Sequence, residues 1–220
     1  MTLASELAMV AAVLASRRGP SAREAVAEQL VQMRDMEVAQ AALRVGELAP
    51  DFELPDVDSG RIVALTALLD RGPVVVNFVR GFWCPYCNLQ MRALARAEPA
   101  IAARGATLLA ITVQPLEAAL NGLAVDPLPY RLLYDQGARA AALFGLTFPI
   151  VPALARIYEL AGIPTAVDAY AQKVLPLTAS YVIARDGTVA YAYVDVDHTR
   201  RAEPDALIAA VESLAATARS

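Results

Sequence analysis

The sequence predicts an α/β protein, with a central mixed sheet flanked by helices over residues 46–220 and a helical extension over residues 1–45. Three observations carry this reading. Apolar runs of strand length, "GPVVVNFVR" and "ATLLAITV", alternate with stretches of helical period, the pattern of a sheet buried on both faces. The dipeptide Asp186-Gly187 joins two further strand-like runs in "ASYVIARDGTVAYAYV", as a tight hairpin does. Before Gly46 the chain shows helical periodicity only.

Taken in order, residues 3–16 form an apolar helix, and Arg18-Gly19-Pro20 separates it from a second one in "SAREAVAEQLVQMRDMEVAQAAL". There Ser21 and Glu24 have the spacing of a capping box, and Val26, Leu30, Met33 and Met36 recur at roughly helical intervals. Such a pair is expected to pack on the domain or to dimerise. "GELAPDFELPDVDSGRIVAL" reads as short extended segments broken by turns. The first buried strand follows, then a helix from Pro85 to about Arg104, the strand "ATLLAITV", a short strand "YRLLYD", a helix in "QGARAAALFG", the hairpin, and a closing helix in "EPDALIAAVESLAATA". From Phe148 to Leu177, with Pro149, Pro152, Pro164 and Pro176, only "PALARIYEL" can be placed, on a helix. A long proline-bearing connection of this kind tends to be functional or mobile.

Composition narrows the classes. With 57% hydrophobic and 19% charged residues the chain can bury a core and does not resemble a disordered one. A formal net charge of −4, with no basic run beyond Arg17-Arg18 and Arg200-Arg201, argues against nucleic acid as a partner. Two cysteines are too few to staple a secreted fold, so the reducing cytoplasm is expected. The apolar stretch Leu7–Ser16 has Glu6 before it and its basic residues after it, the reverse of a targeting signal, and is shorter than the ~18 residues of a membrane span. No membrane is expected either.

Both cysteines, Cys84 and Cys87, lie in "RGFWCPYCNLQM". A structural zinc centre needs about four ligands, and His198, the one histidine, lies far along the chain. Inert buried thiols would sit on a core face. Cys84 instead falls where a buried strand ends and a helix begins, so orphan backbone amides and the helix dipole favour its thiolate, while Cys87, one turn in, is expected to be less acidic. A Cys-x-x-Cys at that junction is a redox signal.

"GELAPDFELPD", "VVVNFVRGFWCPYCNLQMRAL", "LLAITVQP" and "TASYVIARDGTVAYAYVDVDHTRRAEP" together resemble, in order and spacing, the peroxiredoxin-like proteins of the alkyl hydroperoxide reductase and thiol-specific antioxidant superfamily, on a thioredoxin fold. The likeness runs from about Gly46 to Leu214, with the N-terminal helices outside the fold's core. "WCPYC" is also similar to the cysteine motifs of thioredoxins and glutaredoxins. The resemblance implies that Cys84 attacks a hydroperoxide and becomes a sulfenic acid, and that Cys87 condenses with it to a disulfide, which a thioredoxin- or glutaredoxin-type reductant reopens. No cofactor is implied. Two alternatives stand beside peroxide reduction: thiol–disulfide exchange, and a dimerising scaffold whose cysteine pair senses redox state without turnover.

The chain departs from the family pattern at telling places. The usual Thr or Ser three residues before the reactive cysteine is Gly81, the usual proline four residues earlier is Asn77, and the usual arginine falls at Thr178. Pro176 is the nearest candidate for the cis-proline of thioredoxin folds. Arg80 is placed to supply the missing positive charge, or is a solvated residue at a strand end. Trp83 and Tyr86, with Pro85 between the cysteines, wall a substrate pocket or pack the helix on the sheet. His198 reads more readily as a bystander than as a general base.

Overall fold

A computed structural model describes residues 2–217. The N-terminal helix α1 (Leu3–Arg17) is capped twice. Thr2 accepts the Ser5 amide at 3.3 Å, and the Glu203 carboxylate accepts the amides of Leu3 and Ala4 at 3.1 and 2.7 Å. Helix α2 (Pro20–Asp35) starts from Gly19 with Pro20 in its first position. The fixed φ of proline makes that start, and Ser21 lies inside the helix, so the capping box read at Ser21 and Glu24 is not its N-terminus. Glu37, at φ 50°, ends the run before a single turn, α3 (Val38–Ala41).

The domain proper begins with a small antiparallel pair, β1 (Glu53–Pro55) and β2 (Ile62–Ala64), and the short α4 (Leu65–Leu69). It continues through β3 (Val74–Val79), α5 (Pro85–Ala102), β4 (Thr107–Thr112), α6 (Leu116–Val125), β5 (Arg131–Tyr134) and α7 (Arg139–Leu143). Next come β6 (Thr147–Pro149), α8 (Pro152–Leu160), β7 (Ala166–Val167) and β8 (Lys173–Pro176). The hairpin β9 (Ala179–Ile183) and β10 (Val189–Val194) precedes α9 (Pro204–Thr217). The main sheet has the order β10-β9-β3-β4-β5; β3–β4 and β4–β5 are parallel, while β3–β9 and β9–β10 are antiparallel. This is the mixed sheet the sequence predicts.

Strand β3 is buried along its whole length, and its period of two divides the core. Val74, Val76 and Phe78 pack with Phe144, Phe148 and Tyr181 on one side. On the other, Val75 joins Leu94 and Ile101 of α5 and Leu207 and Val211 of α9. Three expectations change. Ala25, Met33, Val38 and Ala42 belong to the same buried cluster as Phe78, and Leu3 and Leu7 to the cluster of the two cysteines, so the N-terminal helices are part of the core. Residues 147–176 build a second antiparallel sheet, β6-β8-β7, around α8. Pro176 sits in β8 opposite Thr147 with a trans peptide bond, so it is not a cis-proline facing the cysteines.

Candidate active site

The site is built where β3 runs out. Gly81 follows at φ +145°, a conformation open to glycine, and a Cβ there would lie 2.1 Å from Gln114 Oε1. That oxygen accepts the Phe82 amide at 2.6 Å. A side chain at position 81 would therefore collide with Gln114 where it stands and would take a φ that favours glycine. Phe82 in turn rests on Gly122 of α6, where a Cβ would approach its ring to 2.1 Å. Cys84 is the N-cap residue of α5, its amide donating to Gly81 O at 3.1 Å, and Pro85 takes the first helical position. Asn88 Nδ2 donates to Phe82 O at 2.8 Å and ties the loop to the first turn.

Both cysteines are reduced and buried, Cys84 2% exposed and Cys87 fully enclosed. Their chemistry differs. The thiol of Cys84 is pushed well above its usual range, first by the hydrogen bond it shares with Cys87 and then by burial. Burial pushes Cys87 up as well, but the hydrogen bond from Cys84, the Arg201 guanidinium and the Arg80 backbone amide outweigh it and hold Cys87 well below the thiol range. Arg201 Nη2 lies 3.9 Å from Cys87 Sγ, and its Nη1 donates to the carbonyls of His198 and Arg200. The expectation that the helix start favours the Cys84 thiolate is met in the structure by a competing influence, the Arg201 guanidinium beside Cys87. The sequence did not point to this guanidinium.

Access runs the other way. Cys84, not Cys87, lines a cavity of about 270 Å³ that reaches from the first turn of α5 to the N-terminal helices. Leu14 and Arg18 of the α1 end, Val26, Leu30 and Met33 of α2, and Ile157 and Tyr158 of α8 form its cover. Gln29 pins that cover: its Nε2 donates to Pro149 O at 3.2 Å and its Oε1 accepts the Val151 amide at 2.9 Å.

Arg80, Trp83, Pro85 and Tyr86 all line the cavity, and Trp83 and Tyr86 also pack in the apolar cluster of the two cysteines, so the two aromatics both wall a cavity and hold the helix. Arg80 is buried rather than solvated, its guanidinium 5.8 Å over the Phe148 ring, and its Nε has no hydrogen-bond partner. Trp83 stacks at a tilt 5.6 Å from Tyr158 and leaves its buried Nε1 unpaired. His198 stands edge-on to Tyr86 at 5.3 Å. Burial first, and then Arg80, Arg201 and Arg18, hold His198 well below its usual range, so it is neutral at neutral pH. Thr178 is buried with an unpaired hydroxyl, and neither it nor Pro176 lines the cavity; Leu175 does. Asn77 lies behind the site in a buried chain in which Gln90 Nε2 donates to Ser180 Oγ at 3.2 Å and Ser180 to Asn77 Oδ1 at 2.9 Å. Among the described residues no three His, Cys, Asp or Glu side chains gather to hold a metal ion.

Sequence reasoning missed Arg18, Gln29, Gln114 and Arg201. Arg18 and Arg201 each look like half of an exposed basic pair in the sequence, and only the packing of distant segments distinguishes them.

A family model described as the AhpC/TSA family matches residues 45–192. No curated protein sequence matches the chain. Among solved structures the fold is similar to that of peroxidoxin BcpB from Mycobacterium tuberculosis, at TM-score 0.61 and 23% identity over 78% of this chain and 98% of that one. It is also similar to a reduced 2-Cys peroxiredoxin from Plasmodium vivax, at TM-score 0.60 and 18% identity over 80% and 84% of the two chains. A candidate thiol:disulfide interchange protein DsbE from Chlorobium tepidum superposes at TM-score 0.54, with 20% identity over 79% and 99%. The part of the cover formed by residues 14–33, together with His198 and Arg201, lies outside the matched segment, while Ile157 and Tyr158 lie within it.

Proposed function

The chain belongs to the AhpC/TSA family, and on that premise we propose that this thiol-dependent oxidoreductase is a peroxidase that reduces a small hydroperoxide at Cys84 with Cys87 as its base and resolving thiol. The observation that carries this reading is the enclosure of Cys84. It is 2% exposed and lines the cavity beneath α1 and α2, an enclosure that suits a small molecule and obstructs a protein disulfide.

The division of labour follows from the pair. Cys84 gives its proton to the Cys87 thiolate along their shared hydrogen bond as its sulfur attacks the terminal oxygen of the hydroperoxide. The O–O bond breaks, and its electron pair leaves on the alkoxide, or on hydroxide when hydrogen peroxide is the substrate. That charge develops beside Arg80 and the unpaired Trp83 Nε1, donors that stand in for the absent hydroxyl and arginine. The leaving oxygen takes up the proton held by Cys87, so that Cys87 is again a thiolate. It then attacks the Cys84 sulfenic sulfur, expels hydroxide, which takes a proton from solvent and leaves as water, and closes the disulfide. Two thiols of a thioredoxin- or glutaredoxin-type reductant restore the pair by exchange, which requires the helical cover to move aside.

Thiol–disulfide exchange is the second reading, favoured by the absence of a hydroxyl at Gly81. The test is intact mass after one equivalent of a hydroperoxide. The unmutated protein is expected to lose two hydrogens, Cys87→Ser to gain one oxygen at Cys84, and Cys84→Ser to stay unchanged. An unmutated protein left as the dithiol would overturn the proposal.

A further inference from the structure

The cavity over Cys84 is rich in cations and donors and has no acid. Arg80 is 5% exposed, its Nε is unpaired, and its guanidinium makes no ion pair among the described residues. Trp83 Nε1 is a second buried donor without an acceptor. Arg18, at the junction of α1 and α2, lines the same space and its side chain has no ion-pair or hydrogen-bond partner among the described residues. No Asp or Glu lines the cavity, and the remaining walls are largely apolar, with Leu14, Leu30, Met33 and Ile157 among them. A buried cation left unpaired is costly, so Arg80, with the partly exposed Arg18 lining the same space, makes it complementary to an anion.

We propose that this cavity binds an apolar molecule carrying a carboxylate, and that Arg18 is the specificity-determining residue that receives that carboxylate while the reacting end faces Cys84. Resting on the peroxidase reading, the inference names the substrate class as an organic hydroperoxide with a carboxylate away from its peroxide group. The selecting residue lies outside the segment matched by the family model, on a helix pair that this chain adds. Arg80 stays free for the leaving oxygen, so the two cations have separate tasks.

Binding can be measured without turnover, using decanoate and decanol as probes and Trp83 fluorescence and protection of Cys84 from alkylation as readouts. Decanoate is expected to bind the reduced protein and protect Cys84, and decanol to bind more weakly. Arg18→Gln should lower decanoate affinity about tenfold, the weight of one charge-assisted hydrogen bond, and Arg18→Lys should recover part of it. Arg17→Gln, one residue outside the cavity, should change nothing. Equal binding of decanoate and decanol by the unmutated protein would overturn the proposal whether or not the variants fold. The companion measurement is turnover of a medium-chain carboxylic acid hydroperoxide against its methyl ester, with the acid expected to have the lower KM. Selective decanoate binding without turnover of either would keep the carboxylate site and sink the peroxidase reading. Turnover of acid and ester with equal KM would do the reverse.

Discussion

Two buried guanidiniums surround a pair of thiols, and this pairing of charge with sulfur explains more of the site than the cysteine spacing does. Arg201 is 6% exposed and makes no ion pair among the described residues, so a thiolate at Cys87, 3.9 Å from its Nη2, would balance its charge. In the reduced protein, thiolate absorbance should grow as pH rises through a midpoint below the ordinary thiol value of about 8.5. Because the folded pKa is depressed, the stability that this thiolate contributes is fully present above the unfolded thiol's pKa and is lost as pH falls through the folded one. Arg201→Met should move the midpoint upward and Arg201→Lys should return most of it, read by ultraviolet titration. The groups that face Cys87 are Cys84, Arg80 and Arg201, and an unmoved midpoint in Arg201→Met would assign the acidity to the first two.

Among the elements, β3 and α5 were the most legible in the sequence. Each is long and keeps one period, and the dipeptide Asp186-Gly187 fixed the hairpin between β9 and β10 in the same way. The missed elements have physical reasons. Strands β6, β7 and β8 are two to four residues long and interrupted by prolines, too short for a period of two to register. Helix α6 is short and carries Gly122, a poor helix former that is kept where Phe82 needs room. The attachment of α2 could not be read at all, since it depends on Gln29 reaching the backbone of residues 149–151 more than a hundred positions away. Replacing it, Gln29→Leu, would leave the Pro149 carbonyl and the Val151 amide buried and unpaired. The expected loss is roughly 1–3 kcal/mol, measured by urea unfolding, together with a changed Trp83 emission as the cover loosens. Unchanged stability and emission would mean that the cover is held by its apolar contacts alone.

At the scale of the whole molecule, the place of the cysteine pair was legible and the chamber around it was not. "WCPYC" placed Cys84 at the start of a helix behind a buried strand, where the structure has it. The cavity, by contrast, draws on residues 14–33, 148–175 and 196–198, three stretches that only the tertiary fold brings together. Residues 1–45 were read as a packing or dimerising appendage; they roof the site and share the core with β3. If Cys84 works inside this enclosure as proposed, a small hydroperoxide should react with it far faster than a protein disulfide does. Rapid mixing of the reduced protein with an alkyl hydroperoxide, followed by Trp83 fluorescence, and reduction of insulin disulfides by the same preparation put the two chemistries side by side. The account predicts a fast fluorescence change that is absent in Cys84→Ser, with insulin reduction no faster than that by a free thiol. Peroxide consumption no faster than a free thiol's, with ready reduction of insulin, would contradict it.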